Sequence, residues 1–182
     1  MSKNILVLTG SPRKGGNSDQ LADAFIAGAQ KAGHTAVKFA TANKKIKGCV
    51  DCMSCYSKGV ACSFNDDFNE LAPLVEEADM IVFATPLYWF TFPMQLKAAI
   101  DKFFAFLIGK RELKIQSTAL LVCSGAPNED GFDAIKATYR QIAKHMNWSD
   151  SGIITVPGIN AKNDIQNTDA LKRAEEFGLS IQ

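Results

Sequence analysis

The densest chemistry in this sequence is a run of thiols. Cys49, Cys52, Cys55 and Cys62 crowd together, while the fifth cysteine, Cys123, stands far away. In a reducing compartment such bunching points to metal or redox chemistry rather than to a disulfide framework. Two residues separate each of the first three thiols, the spacing with which thiolates begin to wrap a four-iron cluster. Zinc sites more often use two cysteine pairs held apart by a longer arm. A [4Fe-4S] cluster, a zinc ion, and free or reversibly oxidised thiols are all compatible with the residues. Lys44, Lys45 and Lys47 just upstream read as a solvated face. Cys123, at the end of an apolar run, reads as a small core residue.

The second constellation is Thr9-Gly10-Ser11-Pro12-Arg13-Lys14-Gly15-Gly16-Asn17-Ser18, between an apolar run and a stretch with helical spacing. Glycines allow close backbone approach to a ligand, Asn17 or Ser18 can cap the helix, and its first N–H groups then face an anion. Hydroxyls from Ser11 and Ser18, the Asn17 amide and the Arg13 charge complete a phosphate cradle. The loop lacks the Gly-Lys-Ser/Thr ending of a triphosphate loop and the G-x-G-x-x-G of a dinucleotide fold, so a monophosphate fits better.

A third segment, Thr85-Pro86-Leu87-Tyr88-Trp89-Phe90-Thr91-Phe92-Pro93, places four aromatics in one loop. Exposed aromatic rings are costly unless they lie on something flat or on a partner, and an isoalloxazine ring would suit them. Ser124, Gly125 and Ala126 form a fourth short segment, with small side chains and accessible backbone amides. No His, Asp and Ser combine into a catalytic set. Asp66-Asp67 reads as a helix cap, and His34 and His145 as helix-terminal residues.

These segments need elements to carry them. Apolar runs at Ile5–Leu8, Met80–Ala84, Ala119–Val122 and Ile153–Val156, with a weaker one at Ala36–Phe39, read as buried strands. Helical spacing links Leu21, Phe25, Ala29 and Ala32, and again Leu96, Ile100, Phe103, Phe104 and Leu107, with Pro93 in the first turn of the latter. Further helices are expected over Phe68–Glu77, Phe132–Met146 and Thr168–Leu179. Alternation of buried strands and amphipathic helices predicts a parallel α/β sheet covered on both faces, in the order 2-1-3-4-5. Ligands in such sheets bind beyond the carboxyl ends of the strands, where the three loops lie.

Composition narrows the function classes. At 182 residues and 47% hydrophobic, residues 1–182 suffice for one domain with a full core. Lys+Arg 20 against Asp+Glu 19 leaves a charge of +1 with no basic stripe, so nucleic acid is not the expected partner. The start of the chain runs directly into Ile5–Leu8, and no apolar run reaches membrane-spanning length. A cytoplasmic protein without membrane contact is expected.

Together these segments resemble the NAD(P)H-dependent FMN reductases and flavodoxin-like quinone reductases, including the iron-sulfur flavoproteins of anaerobes. The resemblance rests on Gly10-Ser11-Pro12-Arg13 with Asn17-Ser18, on Thr85 to Phe90 followed by Gln95-Leu96-Lys97-Ala98 and Ile100-Asp101, and on the cysteine loop leading to Asp66-Asp67. It implies a flavodoxin-like three-layer fold. It also implies FMN bound by Ser11, Arg13, Gly16, Asn17 and Ser18 at the phosphate, by Pro86, Leu87, Tyr88, Trp89 and Phe90 along the ring, and by Ser124, Gly125 and Ala126 on the ring's other side. The flavin would carry a hydride from NAD(P)H to a quinone or other small acceptor, so no dedicated catalytic residue is expected. Homodimers or larger assemblies are implied. The alternative is an electron-transfer flavoprotein fed by a ferredoxin-like partner through a [4Fe-4S] cluster on Cys49, Cys52, Cys55 and Cys62. A non-enzymatic carrier fits less well, because such proteins tend to be strongly acidic. The C-terminal third shows no motif of its own.

Overall fold

Each apolar run forms a strand, and the strands pair in parallel, the first lying between the second and the third, with the fourth and fifth following beyond the third. In this computed structural model, which describes residues 1–182, β1 is Asn4–Thr9, β2 Thr35–Ala40, β3 Met80–Pro86, β4 Ser117–Cys123 and β5 Ser149–Val156. The helices are α1 (Asn17–Lys31), α2 (Phe68–Glu77), α3 (Met94–Asp101), α4 (Phe104–Ile108), α5 (Asp133–His145) and α6 (Ala170–Leu179).

Successive side chains of a strand point to opposite faces, and the core divides accordingly. Ile5, Val7, Met80, Val82, Ala119 and Leu121 pack on one side with Leu21 and Phe25 of α1 and Ala174 of α6. Leu6, Leu8, Ile81, Phe83, Leu120 and Val122 pack on the other with α2, α3, α4 and α5 through Leu71, Leu96, Phe106 and Tyr139. β1 lies between β2 and β3, so the winding direction reverses beside it and opens a crevice at its carboxyl end.

Three expectations need correction. The helix expected through Leu96, Ile100, Phe103, Phe104 and Leu107 is two helices, broken at Lys102 and Phe103. There Phe103 N–H reaches the Ile100 carbonyl and Ala105 N–H the Lys102 carbonyl, the tighter three-residue step. The break turns both Lys102 (2% exposed) and Phe103 (3%) inward, which one straight stripe would not do. Pro93 stands at the N-cap of α3 rather than in its first turn. His34 lies beyond the end of α1 and does not serve its dipole. Its Nδ1 accepts from Lys3 N–H at 3.1 Å and its Nε2 meets the Ile181 carbonyl at 2.9 Å, tying the two ends of the chain together.

Candidate functional site

The loops after β1, β3 and β4 meet in one cleft, lined by Ser11, Arg13, Gly16, Asn17, Ser18, Pro86, Leu87, Tyr88, Ser124 and Gly125, together with Cys123, Ile159 and Asn160. Backbone bonds knit its walls. Gly10 N–H donates to the Ala84 carbonyl, Leu87 N–H to Cys123, Ser124 N–H to Val156 and Ile159 N–H to Ser124.

At one end stands the N-terminus of α1. Its N-cap is Gly16 rather than Asn17 or Ser18, and no side chain caps it. The N–H groups of Asn17, Ser18 and Asp19 therefore have no backbone acceptor within the chain, an arrangement suited to an anion. The loop leading to them is already fixed. The Ser11 hydroxyl accepts from Arg13 N–H at 3.1 Å and keeps its own proton to donate. Asp19 accepts from Gly15 N–H at 2.9 Å and from Lys38 at 2.8 Å. Burial works against it, yet the Lys38 and Gly15 hydrogen bonds hold the Asp19 carboxyl below its ordinary value. The Asn17 side chain does different work from that expected: its amide donates to the Ala161 carbonyl at 2.7 Å, bracing the loop after β5.

At the other end, Tyr88 lines the cleft, but Trp89 and Phe90 stand outside its lining. They occupy the tip of a two-residue hairpin closed by Tyr88 and Thr91, which exchange both N–H to carbonyl bonds at 3.0 Å. Both tip residues have left-handed backbones (φ 47° and 68°), and Trp89 is 92% exposed. Ala126 also lies outside the lining. Burial raises the Cys123 thiol to about 12, keeping this wall uncharged. Ile159 and Asn160 come from the C-terminal third. The only hint of them in the sequence was the polar run Asn160-Ala161-Lys162-Asn163-Asp164 after a strand.

The chain's own groups fit a flavin mononucleotide: free helix N–H groups, two hydroxyls and Arg13 at a phosphate end, and Pro86, Leu87 and Tyr88 at a flat end.

The four clustered cysteines line a second, smaller cavity with Phe64, Lys102, Phe104 and Ala105. Their loop is anchored on both flanks. Asn69 binds the Cys62 N–H and the Cys62 and Phe64 carbonyls, Tyr56 donates to Glu76 at 2.9 Å, and Asp66 and Asp67 accept from Lys47 and Lys45 N–H. The cap expected of Asp66-Asp67 takes another form: Asp67 stands at the N-cap of α2 with no side-chain cap bond, while Asp66 accepts from Phe68 N–H and pairs with Lys102. Between the thiols the backbone is left-handed at Asp51, Met53 and Tyr56, and none of the N–H groups from Val50 to Cys55 donates to a backbone carbonyl. Burial and the neighbouring Cys62, Cys52 and Cys49 thiolates raise Cys55, whereas hydrogen bonds from Ser54 and Ser63 lower the exposed Cys52. As placed here, no three of these thiols converge on one point in the manner of a single-ion site. No helix of the chain is long and apolar enough to cross a membrane.

Known proteins place this arrangement. An iron-sulfur flavoprotein of Archaeoglobus fulgidus is 38% identical over 95 residues, 52% of this chain and 43% of that protein. Another iron-sulfur flavoprotein, from Methanosarcina thermophila, is 32% identical over 98 residues, 54% of this chain and 51% of that protein. The chain thus matches about half the length of these relatives. The fold is shared with an NAD(P)H:quinone oxidoreductase from Methanothermobacter marburgensis, at a TM-score of 0.78, 20% identity, and 98% and 96% coverage of the two chains. A family model described as NADPH-dependent FMN reductase matches residues 3–161, and the chain belongs to that family.

Proposed function

We propose that this chain binds FMN in the cleft beyond β1, β3 and β4 and works as an NAD(P)H-dependent oxidoreductase, reducing a quinone or another small aromatic acceptor. The observation that carries this reading is one cleft with unpartnered helix N–H groups at one end and an aromatic rim at the other. When bound, the flavin supplies the redox chemistry, taking two electrons from the nicotinamide and giving them to the acceptor.

The protein's residues bind and orient. Arg13, the Ser11 and Ser18 hydroxyls and the first N–H groups of α1 hold the phosphate. Pro86, Leu87 and Tyr88 wall the ring, with Ser124 and Gly125 opposite. Cys123, uncharged, adds no repulsion against an electron-rich ring. Trp89 and Phe90 project at the mouth, where a flat acceptor or a second subunit would cover them, and a homodimer is the assembly this favours. The free thiols fit a reducing cytosol, where we place the protein.

A second reading draws on the cysteine cavity. Four thiols line one space without converging on a single point, and their loop has left-handed turns and free N–H groups; drawn together, they would hold a [4Fe-4S] cluster, whose sulfurs accept such N–H bonds. Electrons would then arrive from a ferredoxin-like partner.

One experiment separates the two. Protein purified anaerobically is assayed for flavin, iron and acid-labile sulfide, then titrated with NADPH and with NADH. Loss of the flavin band near about 450 nm on adding nicotinamide supports the reductase. About four irons per chain with no nicotinamide response supports the cluster reading, and absence of flavin after FMN is supplied refutes both.

A further inference from the structure

We propose that Asn160, from the loop after β5, is an additional flavin-binding residue that contacts the ribityl chain. This rests on FMN occupying the cleft. Asn160 lines that cleft. On one side Ala161 takes the Asn17 amide bond, which joins Asn160 to the phosphate loop. On the other, Ile159 N–H donates to the Ser124 carbonyl at 2.8 Å, which joins it to the loop after β4. The stretch of FMN between phosphate and ring is a chain of hydroxyls, and it must cross the space that these two joints bracket.

The side chain is suited to that contact. Its main-chain N–H already binds Asp164 at 3.0 Å, so the loop's own geometry does not need the carboxamide. The carboxamide makes one hydrogen bond, from Nδ2 to the Gly158 carbonyl, at 3.5 Å. That distance is the outer limit of a hydrogen bond, leaving a donor and an acceptor for a hydroxyl ligand. A Cβ at Gly125 would stand 2.3 Å from the Asn160 Oδ1, so only glycine lets the carboxamide lie there.

The test is FMN affinity, read by quenching of flavin fluorescence, with the melting of the flavin-free proteins as control. Asn160→Ala is expected to weaken FMN about tenfold, the size of one or two hydrogen bonds, with melting unchanged. Asn160→Asp keeps an acceptor for hydroxyls and should weaken it less than Asn160→Ala. If Asn160→Asp is instead the weaker binder, the residue faces the phosphate and the ribityl assignment falls. Gly125→Ala should weaken FMN in the wild-type background and lose most of its effect once Asn160→Ala is present. Wild-type affinity in Asn160→Ala, or full additivity of the pair, overturns the inference. A wild-type chain that does not bind FMN refutes the proposed function itself.

Discussion

Lys102 and Asp66 form an ion pair at 2.5 Å with each side chain only 2% exposed. The ammonium also stands 5.6 and 5.7 Å from the ring centres of Phe68 and Phe64. Asp66 accepts further bonds from Lys47 and Phe68 N–H, so its carboxylate is well satisfied. The pair fastens the cysteine loop to the joint between α3 and α4, and Lys102 lines the cysteine cavity. A buried pair contributes little net stability against an apolar replacement, but breaking one strands a charge. Lys102→Met should therefore cost about 3–5 kcal/mol in urea unfolding. Lys102→Met with Asp66→Asn should cost less than that single change. A single-mutant loss under about 1 kcal/mol would mean that the pair behaves like an exposed one.

α1 and α6 cross at two glycines. A Cβ at Gly28 would stand 1.9 Å from the Glu175 carbonyl oxygen, and one at Gly178 would stand 2.1 Å from that of Phe25. In a helix interior alanine is favoured over glycine by about 1 kcal/mol. Here the obstacle is backbone, which cannot swing aside, and overpacking costs about 1–3 kcal/mol. The clash wins, so Gly28→Ala should lower the melting temperature. A rise would show that the helices sit farther apart.

What the sequence made legible follows from period and spacing. Short continuous apolar runs marked the strands, and their alternation with amphipathic helices pointed to the order, because a parallel sheet wound with right-handed crossovers leaves few alternatives. The residues that the loop after β1 gives to the cleft were readable because they are contiguous. Asn160 was not, since it reaches the cleft through the Ile159–Ser124 and Ala161–Asn17 bonds, which link residues far apart in sequence. The Lys102–Asp66 pair was hidden for the same reason: a lysine on a helical stripe looks solvated until the helix breaks beside it. Trp89 and Phe90 were legible as aromatics of the loop after β3, but their outward direction is set by a hairpin too short to leave a periodic signal.

The cysteines should differ sharply in reactivity. Burial pushes Cys123 up to about 12, so it stays a thiol throughout the neutral range and becomes thiolate only as pH approaches that value. Cys52 is exposed, and hydrogen bonds from Ser54 and Ser63 lower it, so its thiolate is populated at a lower pH than that of an ordinary cysteine. In metal-free protein at about pH 8, iodoacetamide should label Cys52 first and leave Cys123 unmodified, as followed by peptide mass mapping. Early labelling of Cys123 would show that the cleft wall opens in solution.

Trp89 and Phe90 hold an unfavourable position for aromatic residues. A two-residue hairpin with both φ angles positive prefers Asn-Gly, and left-handed non-glycine residues cost about 1 kcal/mol or more each. Trp89 gives almost nothing back through burial, being 92% exposed. The two rings, 6.3 Å apart, return about 0.5–1.5 kcal/mol at most. Replacing the pair by Asn-Gly should therefore raise stability by about 1 kcal/mol while leaving FMN affinity within about threefold, since neither ring lines the cleft. If the rings cover a quinone at the mouth, quinone reduction should fall about tenfold, the loss expected when an aromatic contact of roughly 1.4 kcal/mol disappears. Undiminished quinone reduction together with a shift from dimer to monomer in sedimentation would instead assign the rings to the partner subunit, and the strain would then be retained for assembly rather than for turnover.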